Sequence, residues 1–256
     1  MTHDQADGLR RMFAASRVRF VAVASNPHVA FAGVLLERLC TAFAELGRRV
    51  LVVDAADTAP VPNELSVLDL AGCIEPLSAQ VSYLAARGLP LRHVDARGTT
   101  GAFLDAAADA APGTDVVLVH AGAHDLSRLF ARRAPRPVLL AADHPASVTH
   151  AYASMKLLVQ RNALMAFDLL LAAAAQSPRR DRIAAQVAGC ADNFLHAVLH
   201  GWAAVDPACD AGEAPPRALV QMARELLEGG DELPQPAPAW PALHAPAAAS
   251  ARAAVN

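Results

Sequence analysis

The sequence predicts an α/β fold, a mostly parallel, doubly wound sheet with helices on both faces. Three observations carry that expectation. First, short Val- and Leu-rich runs recur along the chain: RFVAVAS (19–25), RRVLVVD (48–54), TDVVLV (114–119), VLLAAD (138–143) and FDLLLAAA (167–174). Runs of this length and composition are buried strands of a sheet covered on both faces. Second, amphipathic helical stretches lie between them. Leu35, Leu36, Leu39, Phe43 and Leu46 recur at three- and four-residue steps, and Gly47 follows as a helix stop. Third, the span 19–57 packs strand, loop, helix and strand together. That is a right-handed crossover unit, whose ligand site, if it has one, lies where the first strand meets the helix.

Taken in order, the chain opens with a segment, 1–17, in which Asp4 to Ala15 can form about three helical turns capped by Asp4. Gly8 weakens it by roughly 1 kcal/mol against alanine. The first strand runs into SNPHVAFAG (25–33). A nucleotide-binding junction needs glycines, so that backbone N–H groups close on phosphate, and a lysine to offset charge. This loop has one glycine, Gly33, and no lysine, and Pro27 removes a donor. After the second strand, Pro60 and Pro62 stiffen a loop, 65–70 is ambiguous between strand and helix, 74–87 reads as helix and LRHVDA (91–96) as strand. Gly98, Thr99, Thr100 and Gly101 read as a turn. Beyond the strand at 138–143, Ser147 is a candidate cap for a helix over 148–160. A helix over 180–199, a last strand in GWAAVDPACDAG and a helix over 216–228 complete the domain, 18–229. The remainder, 230–256, is Pro- and Ala-rich and reads as a disordered tail.

Composition excludes several function classes. The 256 residues carry a net charge of -3, which gives no electrostatic footprint for nucleic acid. Four cysteines, Cys40, Cys73, Cys190 and Cys209, are scattered without a CxxC and read as reduced cytoplasmic thiols. No signal peptide or 18-residue apolar span is present, and the apolar run at 164–175 is interrupted by Asp168. His120/His124 and His196/His200 have the four-residue spacing of a zinc site on a helix, yet neither pair brings a third ligand, so no metal is expected. No GxSxG elbow appears.

The second half of the crossover unit and its loop resemble the deviant P-loop ATPases of the MinD/ParA type. Their signature reads S-G-K-G-G-V-G-K-T, followed by a helix ending in A-x-L-G-x-R-V-L-L-L-D-A-D. Gly47, Arg49, Val50, Leu51, Asp54 and Ala55 fall on that frame without gaps. Carried backwards, it sets Ser25 on the leading serine, Asn26 and His28 on glycines and Pro27 on the signature lysine. Ala32 then stands at the phosphate-binding lysine and Gly33 at the Mg²⁺-binding threonine. Ala56 replaces a second aspartate, and His120 stands where the family carries a Walker B aspartate. Pro145, Ser147, Thr149, Ala151, Tyr152, Ala153 and Lys156 match T-E-P-T-S-I-T-D-A-Y-A-L-I-K, with His150 in place of the aspartate. The resemblance implies the P-loop NTPase fold with a degenerate nucleotide site that has lost ATP and Mg²⁺.

Asp4-Gln5-Ala6-Asp7-Gly8-Leu9-Arg10, just ahead of the first strand, is similar to the D-Q-A-x-x-L-R motif of the FlhG/FleN proteins, the flagellar branch of that group. There the motif activates a partner, the signal-recognition-particle-type GTPase FlhF. The resemblance implies a pseudo-ATPase that regulates flagellar number or placement and stimulates such a GTPase through Asp4, Gln5, Leu9 and Arg10. A flagellar transcription regulator or switch component is a further implied partner, and the implied location is the cytoplasm, with recruitment to the cell pole or flagellar base. The family's basic amphipathic membrane helix has no counterpart after Gly229, which carries one arginine, Arg252, and several prolines. Membrane contact is therefore expected to be indirect. Two alternatives stand beside this reading: a working ATPase with an atypical loop, and a scaffold of the same fold.

Overall fold

A computed structural model describes residues 18–210 and 212–229; the N-terminal motif and the tail lie outside the described residues. Strand β1 (Arg19–Ala24) leads through the loop to helix α1 (Ala32–Glu45) and strand β2 (Val50–Asp54). Two 3-10 turns (Glu64–Val67, Ala71–Cys73) precede β3 (Glu75–Pro76) and β4 (Val81–Ala85), and a third (Leu89–His93) precedes α2 (Ala102–Ala110). Then come β5 (Val116–Ala121), α3 (Ala123–Leu129), β6 (Val138–Ala142), α4 (Pro145–Asn162) and β7 (Ala166–Ala172). The described domain ends with α5 (Arg180–Leu195), β8 (Val198–Val205) and α6 (Arg217–Glu228).

The sheet order is β3-β4-β2-β5-β1-β6-β7-β8. Every pairing is parallel except β3 with β4. Strand alternation divides the core into two layers. Phe20, Ala22 and Ala24 of β1 face one side, with Phe103 of α2, Leu126 of α3, Met155 of α4 and Val187 of α5. Val21 and Val23 face the other, with Leu35, Leu39 and Phe43 of α1 and Leu219 and Met222 of α6. β5 separates β1 from β2, so the crossover unit spans one intervening strand. Among the described residues no helix is long and apolar enough to cross a membrane.

Several local expectations are corrected. Residues 74–87 are not a helix but β3, a turn and β4. Pro76 would cost about 3 kcal/mol inside a helix, and the Ser78 hydroxyl accepts the N–H groups of Gln80 and Val81, fixing a turn there. Val81 to Ala85 then pair in register with Val50 to Asp54, a non-local gain that overrides the local helical pattern. The span 91–96 is not a strand. Gly88, at a φ of 76°, opens the 3-10 turn, and Asp95 closes the following loop. Its carboxylate accepts from Arg97 N–H, Thr99 N–H and the Thr99 hydroxyl, and the Thr99 bonds hold it below the usual carboxylate range. The ambiguous 65–70 segment is neither strand nor α-helix: its first half belongs to the 3-10 turn Glu64–Val67, and the rest is irregular.

The helix predicted to reach Leu199 stops at Leu195, because His196 adopts the left-handed conformation (φ 53°) and returns its N–H to the last turn. His196 and His200 therefore sit on a helix cap and on β8 instead of one helix face. Helix α4 starts earlier than expected, and His144, not Ser147, caps it by accepting the N–H of Ala146. Ser147 is fully buried, and its hydroxyl accepts the N–H of Ala142 at the end of β6.

Candidate functional site

The loop between β1 and α1 is shaped by one side chain. Asn26 is buried, and its amide nitrogen lies 2.8 Å from the Leu140 carbonyl, 2.9 Å from the Ser147 carbonyl and 3.1 Å from the Ser147 hydroxyl. Its carbonyl oxygen accepts the N–H of His28. Asn26 thus fastens the loop to β6 and α4, with Pro27 and His28 as an exposed turn above it. Val29 turns back into the core, its N–H donating to the Asn26 carbonyl. Helix α1 begins without a side-chain cap, behind Phe31, which is 59% exposed. A Cβ at Gly33 would meet nothing within 4 Å, so the start of the helix borders open space.

Sheet register places the next feature. Asp54 ends β2 opposite His120 near the end of β5, and both lie on the α1 side of the sheet by strand alternation. His120 Nδ1 is 2.9 Å from Asp54 Oδ1. The Tyr83 hydroxyl from β4 donates to Asp54 Oδ2 at 3.2 Å, and the Ala56 N–H donates to Oδ1 at 3.3 Å. His120 Nδ1, the Tyr83 hydroxyl and the Ala56 N–H thus converge on one carboxyl group. Burial, and then the Asp54 charge, push the Tyr83 hydroxyl well above its ordinary pKa and keep it a donor. Nε2 of His120 is buried and has no hydrogen-bond partner among the described residues.

Asp54 and His120 stand in the wall of a cleft of about 700 Å³ at the carboxyl ends of the strands, within the range of ligand sites. Ser25, Asn26, Pro27, Ala32, Gly33, Asp54 and His120, predicted from sequence, all line it; His28 stands beside it, 5.9 Å from the ring of His150. Asp57 and Asp125 add carboxylates, and among the described residues no lysine or arginine lines the cleft. Partial burial, then proximity to His28, lowers the pKa of His150. His124 also lines the cleft, from α3. Among the described residues no group of three or more His, Cys, Asp or Glu is placed to hold a metal. Asp4, Gln5, Leu9 and Arg10 lie outside the described residues. Sequence reasoning missed Tyr83, because its strand was read as helix, and Ser147, whose local pattern signalled a cap.

The sheet order, the crossover unit and the cleft above it define the architecture of the MinD/ParA-type P-loop NTPases. Among solved structures the chain is similar to the MinD cell division protein of Aquifex aeolicus (16% identity, TM-score 0.54, covering 85% of this chain and 100% of that one). It is similar as well to a ParA family ATPase from Chlorobium tepidum TLS (11%, TM-score 0.53, 81% and 97%). A third is the cobyrinic acid a,c-diamide synthase of Mycobacterium smegmatis (16%, TM-score 0.55, 82% and 94%). At these identities the likeness is one of fold. No family model matches the sequence, and no curated protein does.

Proposed function

We propose that this protein is a FlhG/FleN-like regulator of flagellar number or placement that has given up ATP chemistry and stimulates a signal-recognition-particle-type GTPase. The observation that carries the reading is the motif Asp4-Gln5-Ala6-Asp7-Gly8-Leu9-Arg10 set directly ahead of the first strand of a MinD/ParA-type fold. Loss of ATP is supported by chemistry: Pro27, Ala32 and Gly33 stand where the family has two lysines and a threonine, and carboxylates line the cleft without a lysine or arginine among the described residues. A triphosphate there meets repulsion instead of neutralisation.

In the proposed mechanism the N-terminal segment works in trans. Gln5 supplies a neutral amide that accepts from the attacking water and donates to phosphate, Leu9 anchors the segment in an apolar groove, and Arg10 pairs with an acidic patch or phosphate. Residues supplied in trans raise GTPase rates by several powers of ten in other systems. The test measures GTP hydrolysis by the partner with full-length protein, with Gln5→Ala, with Leu9→Ala and with a chain lacking residues 1–16. Stimulation is expected from the full chain and from a peptide covering 1–16. Gln5→Ala should lose stimulation while keeping binding, and Leu9→Ala should weaken binding. Equal stimulation by the truncated chain overturns the proposal. Calorimetry with ATP and Mg²⁺ is expected to show no micromolar site; a Mg²⁺-dependent micromolar site would favour the working-ATPase alternative.

A further inference from the structure

Among the described residues eleven large apolar side chains are exposed, and seven of them fall between 61 and 94, so the exposure is concentrated instead of scattered. The 3-10 turn Glu64–Val67 is inverted. Its buried residue is Ser66, 2% exposed, whose hydroxyl donates to the Asn63 carbonyl, while Leu65 and Leu68 are 61% and 87% exposed. Three residues make one turn of such a helix, so Leu65 and Leu68 share a face, and the Leu68 N–H donates to the Leu65 carbonyl. Asn63 caps the turn by accepting the Leu65 N–H. Hydrogen bonds therefore hold these leucines towards solvent, with Val61 and Val67 extending the exposed run.

Charge selects what covers them. From Val50 to Ala86 the chain carries Asp54, Asp57, Glu64, Asp69 and Glu75 and not one lysine, arginine or histidine. Glu64 and Asp69 flank the leucines and are exposed, and the next cation, Arg87, donates to the Asp57 carbonyl. The same surface of a second copy would bring carboxylate against carboxylate, and residues 230–256 offer Asp231 and Glu232 against one arginine, Arg252. Residues 9–17, LRRMFAASR, hold Arg10, Arg11 and Arg17 with no acid, and Leu9, Met12 and Phe13 recur at the steps of one helical face. They also reach. Arg19 pairs with Val116 and Val116 with Val50, so β1 starts two strand spacings, about 10 Å, from the start of β2. Arg49 and Val50 share a depression with Ala71 and Ile74, and the turn Ala71–Cys73 packs against Glu64–Val67. Residues 14–18, extended, span about 17 Å, which carries residue 13 across that depression.

We propose that residues 9–13 dock on the exposed turn of their own chain, with Leu9, Met12 and Phe13 on Leu65 and Leu68, and with Arg10 and Arg11 towards Glu64 and Asp69. The docked segment covers Leu9 and Arg10, which stimulation of a GTPase would use, so the contact is a brake on that proposed activity. The brake rests on the GTPase reading; the contact does not, and it is measured without a partner.

The test is NMR of the full-length chain with its methyl groups and phenylalanine rings labelled. Overhauser contacts from Met12 and Phe13 to the methyl groups of Leu65 and Leu68 are expected, and a mixture of labelled and unlabelled chains should place them within one molecule. Leu65→Ser with Leu68→Ser, both exposed, should move the Met12 and Phe13 resonances to those of a free peptide covering 1–17. Glu64→Arg with Asp69→Asn, which keeps an acceptor for the Gly72 N–H, should abolish the contacts, and adding Arg10→Glu with Arg11→Glu should restore them. Native-chain resonances that already match the free peptide overturn the proposal. So do contacts between molecules, or contacts unmoved by the charge reversal. Where the partner GTPase responds to the full chain, Leu65→Ser with Leu68→Ser should raise stimulation at limiting concentration by the inverse of the undocked fraction; an unchanged rate overturns the brake.

Discussion

Asn26 illustrates how much of this site rests on single side chains. The MinD/ParA-type signature that the loop resembles has a glycine at that position, whereas here an amide ties the loop to the carbonyls of Leu140 and Ser147. Asn26→Ala would leave both acceptors buried and release His28 N–H from its side-chain acceptor. The expected cost is about 2 kcal/mol, from side-chain hydrogen bonds lost at a buried site and the space the amide leaves. Urea unfolding checks it: the midpoint should fall with an unchanged slope. Asn26→Asp should be at least as damaging, because a carboxylate cannot donate to those carbonyls. Buried cysteine shows the opposite case. Cys40, on α1, is pushed up to about 12, by burial first and then by Glu37, so it behaves as an inert apolar residue of the second core layer.

At the scale of elements, the far edge of the sheet depends on an ion cluster. Asp168, on β7, is fully buried, and its Oδ2 lies 2.6 Å from Arg136 Nε, just ahead of β6. His200 of β8 stands 3.6 Å from Asp168 and 3.5 Å from Glu225 of α6, so one cluster ties β6, β7, β8 and α6 together. Gly201 belongs to this arrangement, because a Cβ there would come within 3.2 Å of Asp168 Oδ1. Asp168→Ala strands the mostly buried Arg136 and should cost about 3 kcal/mol. Asp168→Asn keeps the shape and one hydrogen bond and should cost less. Thermal unfolding of the two variants gives that order if the ion pair, rather than side-chain volume, holds the edge.

For the whole molecule, two groups set opposite dependences of stability on pH. Burial raises the Asp168 carboxyl above 3.8, with Arg136 opposing, so the folded chain holds that proton more tightly than the unfolded one. Its contribution therefore grows as pH falls through the raised value towards 3.8. His150 runs the other way: its pKa lies below 6.5, by desolvation first and then by His28. Its stability is present above 6.5 and is lost as pH falls from there through the lowered value. Melting temperature should consequently decline below about pH 6.5. His150→Asn should flatten that decline, and Asp168→Asn should remove the gain on the acid side. A decline unchanged in His150→Asn would place its origin elsewhere.

What the sequence determined by itself was the part written in local repeats. β1, α1, β2, β5, β6 and β7 each carry a continuous apolar run or a helical stripe, and the parallel sheet followed from them. That Asn26, Pro27 and Gly33 depart from the signature the loop resembles was readable as well, because such a comparison runs residue by residue without any reference to packing. Tertiary structure decided the rest. The pattern over 74–87 is compatible with a helix, and only pairing with β2 makes Val81 to Ala85 a strand. Asp54 and His120 are 66 residues apart, so their contact exists only through the register of β2 with β5. Ser147 reads locally as a cap and becomes a buried partner of Asn26 once α4 packs beside β6. Periodicity records what a residue does to its chain neighbours, whereas a cleft is made by side chains that meet only after the sheet has closed.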